Sequence, residues 1–309
     1  MKRVLGILVF ALACAAPAGQ AQERMVRLVV PVPAGGSLDM LARALAAKLS
    51  TPGGENWVVD NRAGAETMIG TELVAKSPPD GRSVLLAGAT LVLAPLTRNV
   101  GFSPKDELRP VVQLSYSNFM LVVPADSRLA SVADLAAAAA RPGGLNCGAP
   151  PGPMALACQQ LGLRLGNKVT AVPYPGVAPA VTAAMGGHVD MLFVSAEVVT
   201  KLVEAGKLRA LATSSQAVAP AAPLFAQAWP GFVMDGFIGL FVPAATPADE
   251  VARLNAAANR ALADPVFAAL TREAGQEPVG GTPEQFAAHM QRIQVLYADV
   301  IRKLATASR

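Results

Sequence analysis

Val29-Val30-Pro31-Val32-Pro33-Ala34-Gly35-Gly36-Ser37-Leu38-Asp39-Met40-Leu41-Ala42-Arg43 carries an apolar, β-branched run into two glycines and then into a helical pattern. Gly35 and Gly36 allow a tight turn with exposed backbone N–H groups, and Ser37 stands where a helix takes its cap. The first N–H groups of that helix have no partner within it, and its dipole is positive at that end. A carboxylate or phosphate placed there would meet several donors at once, so the stretch reads as an anion cradle. Leu38, Leu41, Leu45 and Leu49 seat the helix by one face, and Asp39 and Arg43 are spaced to pair at i,i+4. An ordinary strand-to-helix turn of an α/β domain would look the same, since the fuller glycine patterns of dinucleotide and P-loop sites are missing.

Upstream, Lys2 and Arg3 precede an apolar run from Val4 to Ala16 and small residues around Ala18 and Ala21. This predicts a secretory signal peptide over 1–21 and an exported, periplasmic mature chain, because the run is too short to span a bilayer. Cys14 raises a lipoprotein alternative, against which Ala11 stands in place of the expected leucine. The chain has 26 basic and 22 acidic residues with no basic run, which argues against a nucleic-acid partner. Two cysteines follow the leader, Cys147 and Cys158, either a disulfide of the oxidising compartment or two small buried thiols. His188 and His289 have no paired spacing, so neither a metal nor any cofactor is expected.

Downstream, short β-branched runs alternate with Ala/Leu-rich helical runs, the pattern of strands with helical crossovers. Strands are predicted at Met25–Val32, Trp57–Asp60 and Ser83–Ala87. A second turn, Asn61-Arg62-Ala63-Gly64-Ala65, leads into a helix at Met68–Lys76, and Gly88-Ala89-Thr90 reaches the same edge. Turns at the carboxyl ends of such strands gather at a ligand crevice. A further α/β unit follows from Phe119–Pro124, and Phe237–Pro243 returns ahead of three capped helices. The expected organisation is two lobes, 22–122 plus 241–309 and 123–240, each a mainly parallel sheet flanked by helices, joined by two hinge strands.

Several segments resemble one family in their order and spacing: Arg27-Leu28-Val29-Val30-Pro31, the Gly35–Asp39 turn with Ala42-Arg43, Asn61–Ala65, Ala75-Lys76-Ser77-Pro78-Pro79-Asp80-Gly81, Val172-Pro173-Tyr174, Gly186–Met191 and Ala205–Ala212. Together they are similar to the receptors of tripartite tricarboxylate transporters, the Bug/TctC family. The resemblance implies a type II periplasmic-binding fold, a small carboxylate ligand, a tripartite-type membrane permease as partner, and a monomer. It also implies a site made from Ala34, Gly35, Gly36, Ser37 and Asp39 in the first turn, Ala63, Gly64, Ala65 and Glu66 in the second, and Thr90 in the third. From the other lobe it adds Gly148, Ala149, Gly152, Pro153, Tyr174 and Val194.

The chain departs from the family pattern where Gly148–Leu156 lacks a Thr or Ser and a His, where Val194 replaces an Asp, where Leu91 and Ala94 replace polar residues, and where Glu66 replaces a glycine. The expectation drawn is a monocarboxylate with an apolar, aromatic or amide-bearing body. An acyl-transfer enzyme has little support, since Ser37 has no nearby histidine and no G-x-S-x-G elbow exists. A receptor that signals to a sensor kinase would need the same cleft and stands as the second reading.

Overall fold

The computed structural model describes residues 24–52, 54–273 and 276–307; the expected signal peptide lies outside them. Within the described part the chain runs β1 (Arg24–Val30), α1 (Ser37–Leu49), β2 (Glu55–Asn61), α2 (Met68–Ala75), β3 (Ser83–Gly88), α3 (Thr90–Thr97), α4 (Pro104–Glu107) and β4 (Leu108–Tyr116). It continues through β5 (Phe119–Pro124), α5 (Val132–Ala139), β6 (Leu145–Ala149), α6 (Pro153–Arg164), β7 (Val169–Pro173), α7 (Val177–Met185), β8 (Met191–Ser195), α8 (Ala196–Glu204), β9 (Leu208–Thr213) and α9 (Phe225–Ala228). Last come β10 (Phe237–Pro243), α10 (Ala248–Ala263), α11 (Pro265–Glu273), β11 (Glu277–Gly280) and α12 (Pro283–Ala307).

Two sheets result, with strand orders β11-β4-β10-β3-β1-β2 and β7-β6-β8-β5-β9. In the first, β1 to β4 point one way and β10 is inserted against them between β3 and β4. The second repeats the device, with β5 inserted antiparallel between β8 and β9. The two sheets, the first completed by β10 after the chain returns from the second, form the two-lobed type II architecture. Buried apolar residues line both faces of each sheet. Val26, Leu28, Val30 and Trp57 pack beneath α1 and α10 on one side of the first sheet, and Val29, Leu85 and Phe241 meet α12 on the other.

β4 is absent from the strands read off the sequence, for a physical reason. It carries Pro110 and alternates buried Gln113 and Ser115 among its apolar residues. Proline removes a ladder donor, but here the register against β10 slips between Leu240 and Phe241, where Pro110 pairs, so the missing N–H falls at an irregularity. The changes of sheet also fall elsewhere than expected: β5 lies wholly in the second sheet and β10 wholly in the first. Divisions at 122 and 240 would cut through both strands. The crossings are at Ser117–Asn118 and just before Phe237, where the Ser117 N–H donates to Gly236 O at 3.0 Å.

Candidate functional site

The first turn is built around a carboxylate that the sequence reading had placed in the ligand's path. Asp39 is 2 % exposed, and its Oδ2 accepts the Gly35 N–H at 2.9 Å and Arg43 Nε–H at 3.0 Å. Its Oδ1 accepts Asn61 Nδ2–H at 2.9 Å, and the same amide donates to Val32 O at 3.2 Å. Asp39 is therefore a strut that laces the first turn to the end of β2, with the expected i,i+4 pair to Arg43 formed. Burial pushes its carboxyl group up, but the bonds from Arg43, Gly35 and Asn61 outweigh it and hold the group below the usual carboxylate range. This geometry also takes Gly35 out of the donor set for an anion, since its N–H is engaged. The donors left to the turn are those at the start of α1, which the i→i−4 pattern leaves without helical partners.

The second turn lies against the first because α2 begins unusually close to β1. A side-chain carbon on Gly70 would come within 2.8 Å of Arg62 O and 3.0 Å of Pro31 Cβ, so only glycine fits. From there the chain passes through Gly64, Ala65, Glu66 and Thr67 with positive φ throughout. Glu66 pairs with Arg98 at 3.5 Å, and Arg98 also donates to Ala65 O. Arg62 pairs with Asp60 at 2.9 Å. Each of the three arginines bordering these turns is thus matched by an acid of the same lobe.

The third turn meets the other lobe. Gly152, with φ +85, faces Thr90, and a side-chain carbon there would lie 3.0 Å from the threonine Oγ1. Pro153 opens α6 behind it, while the Tyr174 N–H donates to Ala149 O at 3.3 Å at the end of β6. These second-lobe residues therefore share one edge. Gly148 lies behind that edge, inside β6. Val194 does not join them. Its side chain is fully buried with Met120, Val122, Leu192 and Ala196 on the α7–α8 side of the sheet, because alternate residues of β8 face opposite ways. Leu91 and Leu156, at positions where the family pattern has polar residues, are buried together with Phe237 and Phe286 where α12 packs against both α3 and α6.

A hollow of about 470 Å³ beside α8, lined by Thr200, Glu204, Leu208, Arg209 and Val218, lies away from these turns. Its arginine is committed to the carbonyls of Ala125, Ser127 and Leu129, which leaves a structural role. His289 is buried under the crossing, bonded to Gln113 Oε1 at 2.7 Å. Among the described residues no three His, Cys, Asp or Glu side chains converge as a metal set. Cys147 and Cys158 are joined by a disulfide between β6 and α6, enclosing the Ala149–Gly152 turn.

Asn61, Arg43 and Arg98 were missing from the residues assigned to the site. The signal for Asn61 was its place at the end of a strand beside the first turn, whereas Arg98 is brought in by α3, a helix with Pro95 inside it.

The model of the tripartite tricarboxylate transporter family receptor matches residues 41–305. The chain is 32 % identical to Protein BugT of Bordetella pertussis over 97 % of this chain and 96 % of that protein. It is 36 % identical to the UPF0065 protein in the tcbD-tcbE intergenic region of a Pseudomonas species, over 86 % of this chain and 82 % of that one. Among solved structures, Rpa4515 of R. palustris with adipate is 30 % identical and superposes with a TM-score of 0.82, covering 91 % of this chain and 97 % of that one. On the family match and the two-lobed fold together, the chain belongs to the tripartite tricarboxylate transporter receptor family.

Proposed function

We propose that this chain is a periplasmic receptor that holds one carboxylate of a small ligand at the first two turns of lobe one and delivers it to a tripartite-type permease. The observation that carries the reading is the lacing of the turn before α1 to the end of β2 through Asp39 and Asn61, which sets a helix N-terminus beside a second glycine-bearing turn. Adipate, a small dicarboxylate, in the related Rpa4515 structure supports a carboxylate ligand and says nothing for a single charge. The preference for a monoanion with an uncharged body rests here on Arg43, Arg62 and Arg98. Each is already matched by an acid, so a second carboxylate would find its nearest cations engaged. Leaving a desolvated charge unmatched weakens binding tenfold or more.

Calorimetric titration with mono-, di- and tricarboxylates tests the reading. Binding of an aliphatic or aromatic monocarboxylate is expected to exceed that of citrate by at least about tenfold; micromolar citrate with the monocarboxylates inert overturns it. Gly36→Val sharpens the test. A side-chain carbon at Gly36 meets nothing closer than Pro33 O at 3.9 Å, so the fold accommodates it while the added bulk stands over the start of α1. The expected result is an unchanged melting temperature without ligand and carboxylate affinity lowered at least about tenfold. A folded Gly36→Val protein that binds like the parent removes this turn from the site.

A further inference from the structure

The second turn has a backbone that its residues do not favour. Ala65, Glu66 and Thr67 adopt φ of 45°, 49° and 78°, following Gly64 at 130°. Three successive residues with a Cβ in the left-handed region are strained, and such a run persists only where its surroundings over-determine it. Three local bonds help, the first from the Met68 N–H to Ala65 O, which closes the single 3-10 turn. Thr71 Oγ1–H donates to Thr67 O at 2.8 Å, and the Ile69 N–H reaches Gly64 O at 3.5 Å. These last two come from residues a few positions on and would survive a change in the Ala65–Glu66 peptide, whereas the Met68 bond shares the Ala65 carbonyl with Arg98.

Arg98 is different. It arrives from the far end of α3, donates from Nη2 to the Ala65 carbonyl, and sits 3.5 Å from Glu66 Oε2. One planar guanidinium thus grips the carbonyl of one residue and the carboxylate of the next. A trans peptide points its carbonyl and its N–H in opposite directions. With the Ala65 carbonyl turned to Arg98, the Glu66 N–H faces the other way.

We propose that Arg98 is a positioning residue for ligand capture: it holds the Ala65–Glu66 peptide in the left-handed turn so that the following N–H is presented to the ligand's carboxylate, with the Glu66 side chain as the handle it grips. The inference rests on the carboxylate reading above for what the N–H meets, and on the backbone alone for the holding. A glycine at position 66 would adopt the same φ without strain and relieve the middle one of the three strained positions, so the turn would lean less on the grip.

Arg98→Gln, and Arg98→Gln combined with Glu66→Gly, test this with two readouts. Backbone carbon chemical shifts of residues 64–67 in ligand-free protein report the sign of φ, and calorimetry with the monocarboxylate hexanoate reports capture. In Arg98→Gln the shifts of 65–67 are expected to leave their left-handed values and hexanoate affinity to fall at least about tenfold, whereas the double variant is expected to bring the shifts of 65 and 67 back toward the parent's and the affinity to within about threefold of it. Unchanged shifts in Arg98→Gln overturn the proposal. So does a loss of affinity that Glu66→Gly does not restore, the result expected if Arg98 itself contacts the anion. If the parent protein binds no hexanoate, that counts against the carboxylate reading, and the shifts alone decide whether Arg98 holds the turn.

Discussion

Replacing Asp39 with alanine is expected to lower the unfolding free energy by about 3 kcal/mol and to remove most carboxylate binding. The side chain is 2 % exposed, and its loss leaves the Gly35 N–H and one Asn61 amide hydrogen without the acceptor that joined two segments. Orphaned buried donors cost about 1–3 kcal/mol each, with Gly35 toward the lower end because its residue is exposed. Arg43 adds little, since 56 % of its side chain is in water and solvent replaces its partner.

The effect has a defined pH window. Folding holds the Asp39 carboxyl below its usual range, so as pH falls the unfolded chain binds the proton first. Its contribution is complete above about pH 4 and is lost as pH falls through the folded value. Urea unfolding of parent and variant near pH 6 and near pH 3 checks this: the gap between them narrows at the lower pH. Asp134 and Asp264, whose carboxyls are also held low, keep the variant itself acid-sensitive. Equal stability of Asp39→Ala and parent near pH 6 would show that the strut carries no load.

Replacing both Cys147 and Cys158 with alanine is expected to lower stability by about 3 kcal/mol, the loop-closure value for a ring of roughly a dozen residues. The bridge joins two fully buried positions 11 residues apart. It encloses the turn that carries Gly152 against Thr90, so its removal also loosens the contact between lobes. Denaturant midpoints measured with and without reductant, alongside intact mass, test it. A midpoint that reductant leaves unmoved in a protein whose mass shows the thiols freed would refute the assigned role.

Much of this was legible in the chain. The helix Ser37–Leu49 and the strand Phe119–Pro124 stand where the periodicity put them, because in both the apolar pattern and the flanking turn residues agree. The return of the chain to the first lobe was legible only in outline, since nothing local in Phe237–Pro243 says that it inserts between β3 and β4. Site residues read well where the backbone decides and poorly where side-chain direction does. Val194 follows the alternation of a strand whose register was unknown, and Asp39 turns inward because its partner Asn61 lies in another segment. Glu66 is the instructive departure: a glycine site by resemblance, it takes a left-handed φ of 49° and is gripped by an arginine that no local pattern pointed to.

The insertion of β10 has a consequence for how the molecule is made. Lobe two draws its five strands from one unbroken stretch, 119–213, whereas β4 has no neighbour on the β3 side until residues 237–243 exist. During synthesis, the first lobe is therefore the last to close although its first strand emerges first. Val84, Leu86, Val112 and Leu114 must wait uncovered for a segment more than a hundred residues away. Long-range closure of this kind is slow and leaves strand edges open to other chains. Tyr297 then ties the finished helix α12 to both backbone polar groups of Asp235, beside the return crossing, so the same late segment that completes the sheet also latches the hinge.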